Sequence, residues 1–106
     1  PLALRGLADP ATGFVCVNES TALGVLSGLH ETGVRIGDEA SVIAYDDINA
    51  SAYFHPPLTT FLCPLQTLSR VLADFMLRLL EGEDPARLTH FVRPELIVRQ
   101  DDRLLR

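Results

Sequence analysis

Two short apolar segments on either side of one amphipathic segment limit most strongly what this chain can fold into. They are residues 13–17 (GFVCV) and 41–45 (SVIAY). Such runs predict strands that are buried on both faces, as in parallel sheets. Residues 21–32 between them predict a helix whose apolar face carries Ala22, Val25, Leu26 and Leu29. The pattern therefore predicts a βαβ unit, in which two parallel strands are joined by a right-handed crossover.

The rest of the chain predicts a short helical turn, two more strands and a long helix. Residues 48–54 predict one or two helical turns before a double proline, with Asp47 as a candidate N-cap. Residues 58–63 are extended by pattern, residues 65–81 form the longest predicted helix, and residues 95–99 form a last strand. These elements place the chain in the α/β class.

The long predicted helix has an unusually wide apolar face. At 100° per residue, its apolar side chains cover roughly half of the circumference. They are Leu68, Val71, Leu72, Phe75, Met76, Leu79 and Leu80. An arc of this width predicts burial against more than one neighbouring element.

Composition excludes several classes of function. The chain has 106 residues, a formal net charge of −5, and arginine at all nine of its basic positions. Without lysine there is no Walker-type phosphate lysine and no Schiff-base lysine. The net negative charge, with charges of both signs scattered along the chain, disfavours nucleic acid as a direct partner of this segment. No apolar run is long enough to span a bilayer, and no signal-peptide pattern begins the sequence.

Cysteine and histidine do not predict a metal site or a cofactor. Cys16 and Cys63 lie in apolar or extended surroundings, which favours two reduced thiols over a disulfide. His30, His55 and His90 share no metal-ligand spacing with each other or with the cysteines. Neither thiol has a histidine at an activating distance along the chain, and no serine lies on a nucleophile elbow, so no catalytic residue is predicted.

Polar side chains follow each strand of the predicted βαβ unit. Asn18 comes after the first strand and Asp46 after the second, so both emerge at the carboxyl edge of a parallel sheet. An amide and a carboxylate at one edge can hold the vicinal hydroxyls of a polyol. A purely structural alternative stays open: Asn18 caps the following helix, and Asp46 with Asp47 closes a turn.

An enzymatic alternative uses the same edge. Glu19, Asp46 and Asp47 form an acidic cluster that could hold Mg²⁺ for phosphotransfer. The absence of a glycine-rich phosphate loop and of lysine weakens this hypothesis.

Four sequence segments, in this order and spacing, resemble one protein family. They are residues 17–24 (VNESTALG), 33–47 (GVRIGDEASVIAYDD), 56–60 (PPLTT) and 95–99 (ELIVR). The series resembles the C-terminal part of the LacI/GalR family of bacterial transcription regulators. The similarity covers about residues 12–100.

The resemblance implies a specific architecture. It implies a parallel-sheet, Rossmann-like lobe of a periplasmic-binding-protein type I fold, which this chain would form only in part. Residues 12–62 would belong to the C-terminal lobe, residues 63–92 to a crossover and a long helix that packs on an N-terminal lobe, and residues 93–100 to the final strand. The DNA-binding domain and the first lobe would lie outside the chain. Without that lobe, the apolar helix implies assembly into dimers or larger species.

The resemblance also implies roles for individual residues. Asn18 matches the family's pocket asparagine and Asp46 its hydroxyl-binding aspartate, while Cys63 and Leu65 would line the pocket. Glu19 stands where aspartate is more usual. Leu65 replaces an aromatic residue that stacks on sugars in some relatives. The family's dimer surface corresponds here to Leu23, Ser27, Ala50, Tyr53 and Phe54.

The function implied is effector sensing in a sugar-responsive repressor. The expected partners are a sugar or nucleoside-like polyol, a second copy of the chain, and operator DNA bound through an N-terminal helix-turn-helix outside this sequence. No cofactor, no membrane contact and a cytoplasmic location are expected. A periplasmic sugar receptor is the alternative within the same fold.

Overall fold

The computed structural model describes residues 10–47 and 50–99 and contains four strands and two α-helices. In chain order these are β1 (Gly13–Cys16), α1 (Glu19–Glu31), β2 (Ser41–Tyr45), β3 (Thr59–Leu62), α2 (Leu65–Leu80) and β4 (Glu95–Ile97). Two short 3-10 turns, Ala50–Tyr53 and Pro85–Arg87, precede β3 and β4 respectively. The α/β class is confirmed, although β4 is shorter than the strand predicted over residues 95–99. Ile48 and Asn49, part of the predicted turn at 48–54, lie outside the described residues.

Helix α1 forms where the apolar spacing predicts it. Asn18 is its N-cap, so the helix begins at Glu19, two residues earlier than predicted. Ala22, Leu26 and Leu29 are buried along one face. Gly33 follows the helix with φ 71°, a left-handed conformation that costs glycine little because it has no Cβ. The boundaries of α1 are therefore fixed by a capping side chain and a glycine.

The sheet has the order β1-β2-β3-β4. Strand β2 pairs in parallel with both β1 and β3, which confirms the predicted βαβ pairing. Strand β4 is antiparallel to β3, with Leu62 opposite Glu95. The sheet is thus parallel across β1, β2 and β3 and antiparallel at its last strand. The reason is that the chain departs after Leu62 and returns at Glu95 beside its point of departure, so that the returning strand runs the opposite way.

The core lies between α1 and one face of the sheet. Its largest fully buried apolar side chains are Leu29, Leu58 and Val42. The prediction that the first strand is buried on both faces is wrong, because Val15 is 87% exposed while Cys16 next to it is buried. Successive side chains of a strand alternate between faces. Cys16 therefore belongs to the face that α1 covers, and Val15 points to the opposite face.

The chain divides into two compact units. The first comprises the described residues up to Leu62 and residues 95–99, and the second is Cys63–Pro94. The second unit contains α2, whose described residues include none that is buried. In the last turn of α2, Arg78 donates to both carboxylate oxygens of Glu83, at 2.7 and 2.6 Å. This ion pair lowers the pKa of Glu83 and joins the last turn of α2 to the residues that follow it.

Candidate functional site

The strand register determines where Asn18 and Asp46 lie. Gly13 pairs with Ser41 and Cys16 with Ala44, in parallel. Asn18 and Asp46 are each two residues beyond the last of these pairs, so they occupy equivalent positions past the ends of neighbouring strands. The sheet thus brings an amide and a carboxylate to its carboxyl edge, where open parallel sheets bind ligands.

One side-chain atom of Asn18 makes a hydrogen bond within the chain. Its Oδ1 accepts a hydrogen bond from the backbone N–H of Thr21 at 2.8 Å, which caps α1. The structural alternative raised from the sequence is therefore correct as far as capping goes. The cap uses only the carbonyl oxygen, whereas the Nδ2 group carries two donors on an exposed residue. Capping fixes the amide and leaves its donors to serve another partner.

Asp46 has an unusual backbone conformation. Its φ is 64°, and among the described residues it is the one non-glycine with positive φ. Aspartate tolerates this region better than most residues, but the conformation still costs free energy relative to extended backbone. The side chain is exposed at the sheet edge. The turn after β2 therefore presents a carboxylate from a conformation that the surrounding structure has to maintain.

The side chain of Asp47, in contrast, is part of a hydrogen-bonded network. Its Oδ2 accepts from Thr60 Oγ1 at 2.8 Å and from Arg99 Nη2 at 2.7 Å. The Asp47 side chain is only 2% exposed. No sequence pattern indicated this pair, because Asp47 and Arg99 are 52 positions apart. The two adjacent acids thus have different surroundings: one is at the exposed edge and the other is buried.

Glu19 is also buried. Its Oε1 accepts a hydrogen bond from the backbone N–H of Ser51 at 3.1 Å, which connects the first turn of α1 to the 3-10 turn Ala50–Tyr53. With Asp47 paired to Arg99 and Glu19 oriented toward Ser51, the three acids do not converge on one point. The geometry disfavours the Mg²⁺ hypothesis, because a hard cation needs several oxygens directed at it.

Cys63 and Leu65 belong to the second unit. Cys63 is half-buried and Leu65 is exposed. Their role in lining a pocket with Asn18 and Asp46 stays a prediction.

Both cysteines are free thiols, and burial raises the pKa of the Cys16 thiol.

The residues predicted for a dimer surface lie in and near one open pocket. It has a volume of about 310 Å³. Three of the five predicted residues line it, namely Leu23, Ser27 and Phe54. Tyr53 next to them is 81% exposed, and Ala50 is half-buried. The pocket is completed by Leu26, His30 and His55.

Within the described part of the chain, no helix has the length and apolar character needed to cross a membrane.

Similarity to known proteins shows which family this chain belongs to. The sequence profile of the periplasmic binding protein-like domain matches residues 2–100, nearly the entire chain. The chain belongs to the periplasmic-binding-protein-like domain family. This membership also confirms the fold that the four sequence motifs implied.

Individual relatives of this periplasmic-binding-protein-like domain are transcription regulators. The HTH-type transcriptional repressor PurR of Aliivibrio salmonicida is 32% identical over 94 residues, which are 89% of this chain and 28% of the repressor. A LacI-family regulator from Mycobacterium smegmatis is 31% identical with a TM-score of 0.73, over 93% of this chain and 36% of that one. The lac repressor dimer, solved with operator and an anti-inducer, is 28% identical with a TM-score of 0.71, over 86% and 27%.

These relatives confirm the resemblance to the LacI/GalR family. The chain spans little more than a quarter of the length of the PurR repressor that it matches. It therefore corresponds to part of a regulator's periplasmic-binding-protein-like domain.

Proposed function

We propose that this chain is the effector-sensing and dimerising part of a sugar-responsive LacI/GalR repressor. The observation that carries the proposal is the register of β1 and β2, in which Asn18 and Asp46 follow the strand ends at equivalent positions. The repressor names of the relatives favour this function over the alternatives raised from the sequence.

The chemistry of the edge supports a polyol as the ligand. The Asp46 carboxylate has two oxygens and can accept from two adjacent hydroxyl groups. The Asn18 amide donates to a hydroxyl oxygen while its own oxygen stays on the helix cap. A vicinal diol on a sugar or a nucleoside satisfies both groups at once. Cys63 and Leu65 would complete the lining of the pocket.

Effector binding would act through a conformational equilibrium. A ligand shifts the equilibrium between two conformations only to the extent that it binds one of them more tightly than the other. In the whole regulator, closure of two lobes over the effector would be linked across a dimer to the spacing of the DNA-binding heads. Leu23, Ser27, Ala50, Tyr53 and Phe54 would form the dimer surface. A helix-turn-helix domain N-terminal to this chain would bind the operator in the cytoplasm.

The other hypotheses have less support. A periplasmic sugar receptor would use the same fold and the same edge, but the relatives described above are transcription regulators. A Mg²⁺-dependent phosphotransferase needs Asp46 and Asp47 on one cation, and the Asp47 carboxylate is instead paired with Arg99.

A titration followed by NMR tests the proposal on the chain itself. Adenosine carries a vicinal diol and its dideoxy analogue does not, so the two form a matched pair of probes, with lactose as a second polyol. Half of the predicted cleft lies outside the chain, so binding is expected only at millimolar ligand. We expect adenosine or lactose to shift the amide signals of Asn18 and Asp46, and dideoxyadenosine to leave them unchanged.

Two variants identify the groups responsible. Asp46→Asn should abolish the shifts, whereas Asp38→Asn, an exposed aspartate on the loop that precedes β2, should preserve them. If no polyol shifts either signal, or if Asp46→Asn responds like the unmodified chain, the proposed function is wrong. Saturable Mg²⁺ binding that is lost in Asp46→Asn would favour the enzyme instead.

A further inference from the structure

Arg99 links three separate parts of the first unit. Its Nη1 donates to the backbone carbonyl of Leu58 at 2.6 Å and to Thr60 Oγ1 at 2.9 Å. Its Nη2 donates to Asp47 Oδ2 at 2.7 Å. Its own backbone N–H donates to Thr59 Oγ1 at 2.8 Å. One arginine beyond the end of β4 therefore holds β3, the residue before β3, and the turn after β2.

The pair formed by Arg99 and Asp47 is largely removed from water. The Arg99 side chain is 16% exposed and that of Asp47 is 2% exposed. Burying two charges is costly unless their remaining donors and acceptors are satisfied. Thr60 and the Leu58 carbonyl help to satisfy them. Breaking such a pair is strongly destabilising, because it leaves a buried charge without a partner.

The geometry that this pair fixes is that of the neighbouring residue. Asp46 directly precedes Asp47 and has a φ of 64°. With the Asp47 side chain anchored to Arg99 and Thr60, the turn cannot relax without breaking a buried ion pair. Strained backbone persists only where the surrounding structure over-determines it. The anchor thereby sets the direction in which the Asp46 carboxylate leaves the sheet edge.

We propose that Arg99 is a positioning residue for the effector site: through Asp47 it holds Asp46 in its positive-φ conformation and so sets the affinity for a polyol. This inference rests on the proposed function for the identity of the ligand. Arg99 itself would not touch the ligand.

Variants of Arg99 test the inference with two readouts. The first is the set of backbone chemical shifts of Asp46, which report its φ without any ligand. The second is the affinity for adenosine from the NMR titration. Arg99→Met should move the Asp46 shifts toward those of extended backbone and weaken binding at least about tenfold, since a buried charge-assisted hydrogen bond is lost. Arg99→Lys keeps the charge and should restore part of the Asp46 shifts and part of the affinity for adenosine.

A control and a double variant keep the test decisive. Arg35→Met removes the same charge from an exposed site and should change neither readout. If Arg99→Met fails to fold, Asp47→Leu with Arg99→Met removes both charges, so that no buried charge is left unpaired. This double variant should fold and bind adenosine weakly, and its Asp46 shifts, each taken relative to the random-coil value for the new neighbour, should move toward those of extended backbone.

The outcomes separate this inference from the proposed function. Unchanged Asp46 shifts in Arg99→Met or in the double variant would overturn the positioning role. So would altered shifts with unchanged affinity for adenosine. If the unmodified chain binds no polyol, the proposed function is wrong. The Asp46 shifts would then still decide whether Arg99 holds the turn.

Discussion

At the residue scale, Asn18 has a structural role in the fold, and the proposed function gives the same side chain a binding role. Asn18 ends the loop after β1 by capping α1, and this cap uses Oδ1 alone. The same hydrogen bond fixes the plane of the amide and so orients its Nδ2 donors. A binding group held by a structural bond loses less conformational entropy when a ligand arrives.

Substitutions at Asn18 separate its two roles. Asn18→Asp keeps an oxygen for the cap but removes the donors, so stability should stay close to that of the unmodified chain while polyol binding is lost. Asn18→Ala removes both and should also lower the free energy of unfolding by about 1 kcal/mol. Chemical denaturation and the adenosine titration measure the two effects. Binding of adenosine by Asn18→Asp with the affinity of the unmodified chain would contradict the role given to the amide donors.

The two thiols should differ sharply in reactivity. Cys16 is buried, and burial raises the pKa of its thiol, so the reactive thiolate is scarce at mildly alkaline pH. Cys63 is only half-buried. Iodoacetamide should therefore modify Cys63 in the native chain, and Cys16 only after unfolding. Mass spectrometry of the labelled peptides checks this. Modification of Cys16 first would mean that β1 is not packed as described.

At the element scale, local pattern explains most of what could be predicted. The apolar spacing of α1 and the short apolar runs of β1 and β2 specify those elements and their parallel pairing. The orientation of β4 depends on where the chain returns after the second unit, which no local pattern encodes. The exposure of Val15 depends on which face of the sheet α1 covers. The Asp47–Arg99 pair escaped prediction because its partners are far apart in sequence.

A pair of leucines on α1 tests the packing of this helix. Leu29 is fully buried, whereas Leu23 is 52% exposed. Leu29→Ala should lower the free energy of unfolding by about 3 kcal/mol, because it leaves a cavity in the core. For the monomer, Leu23→Ala should change this free energy by less than about 0.5 kcal/mol, because Leu23 lies outside the core. Urea denaturation gives both values. Equal losses would show that the predicted inner and outer faces of α1 are not distinct.

At the scale of the whole molecule, exposed apolar surface requires an explanation. Leu72, Met76 and Leu80 on α2 are each more than half exposed. They belong to the arc that the family resemblance assigns to contact with another lobe. Several exposed leucine-sized side chains forgo several kcal/mol of burial free energy, at roughly 25 cal/mol per Å². Such surface favours association with further copies of the chain.

We expect the chain to sediment as a dimer or larger species at micromolar concentration. Leu72→Glu with Met76→Glu on α2 should shift the distribution toward monomer, because two charges replace apolar contacts. Leu23→Asp tests the predicted dimer surface of the first unit in the same way. As a control, Arg70→Glu changes charge on the polar side of α2 and should leave the mass unchanged. A single monomeric boundary for the unmodified chain would contradict the expected assembly.

The proposed effector site requires Asn18 and Asp46 to hold the hydroxyl groups of a polyol together. Its most direct test is an isotope-filtered NOE experiment on the labelled chain with adenosine. We expect NOEs between ribose protons and the side-chain amide protons of Asn18, with none to Leu23 or Phe54 in the 310 Å³ pocket. Ribose contacts confined to that pocket, with none to Asn18, would show that the polyol does not bind at the sheet edge.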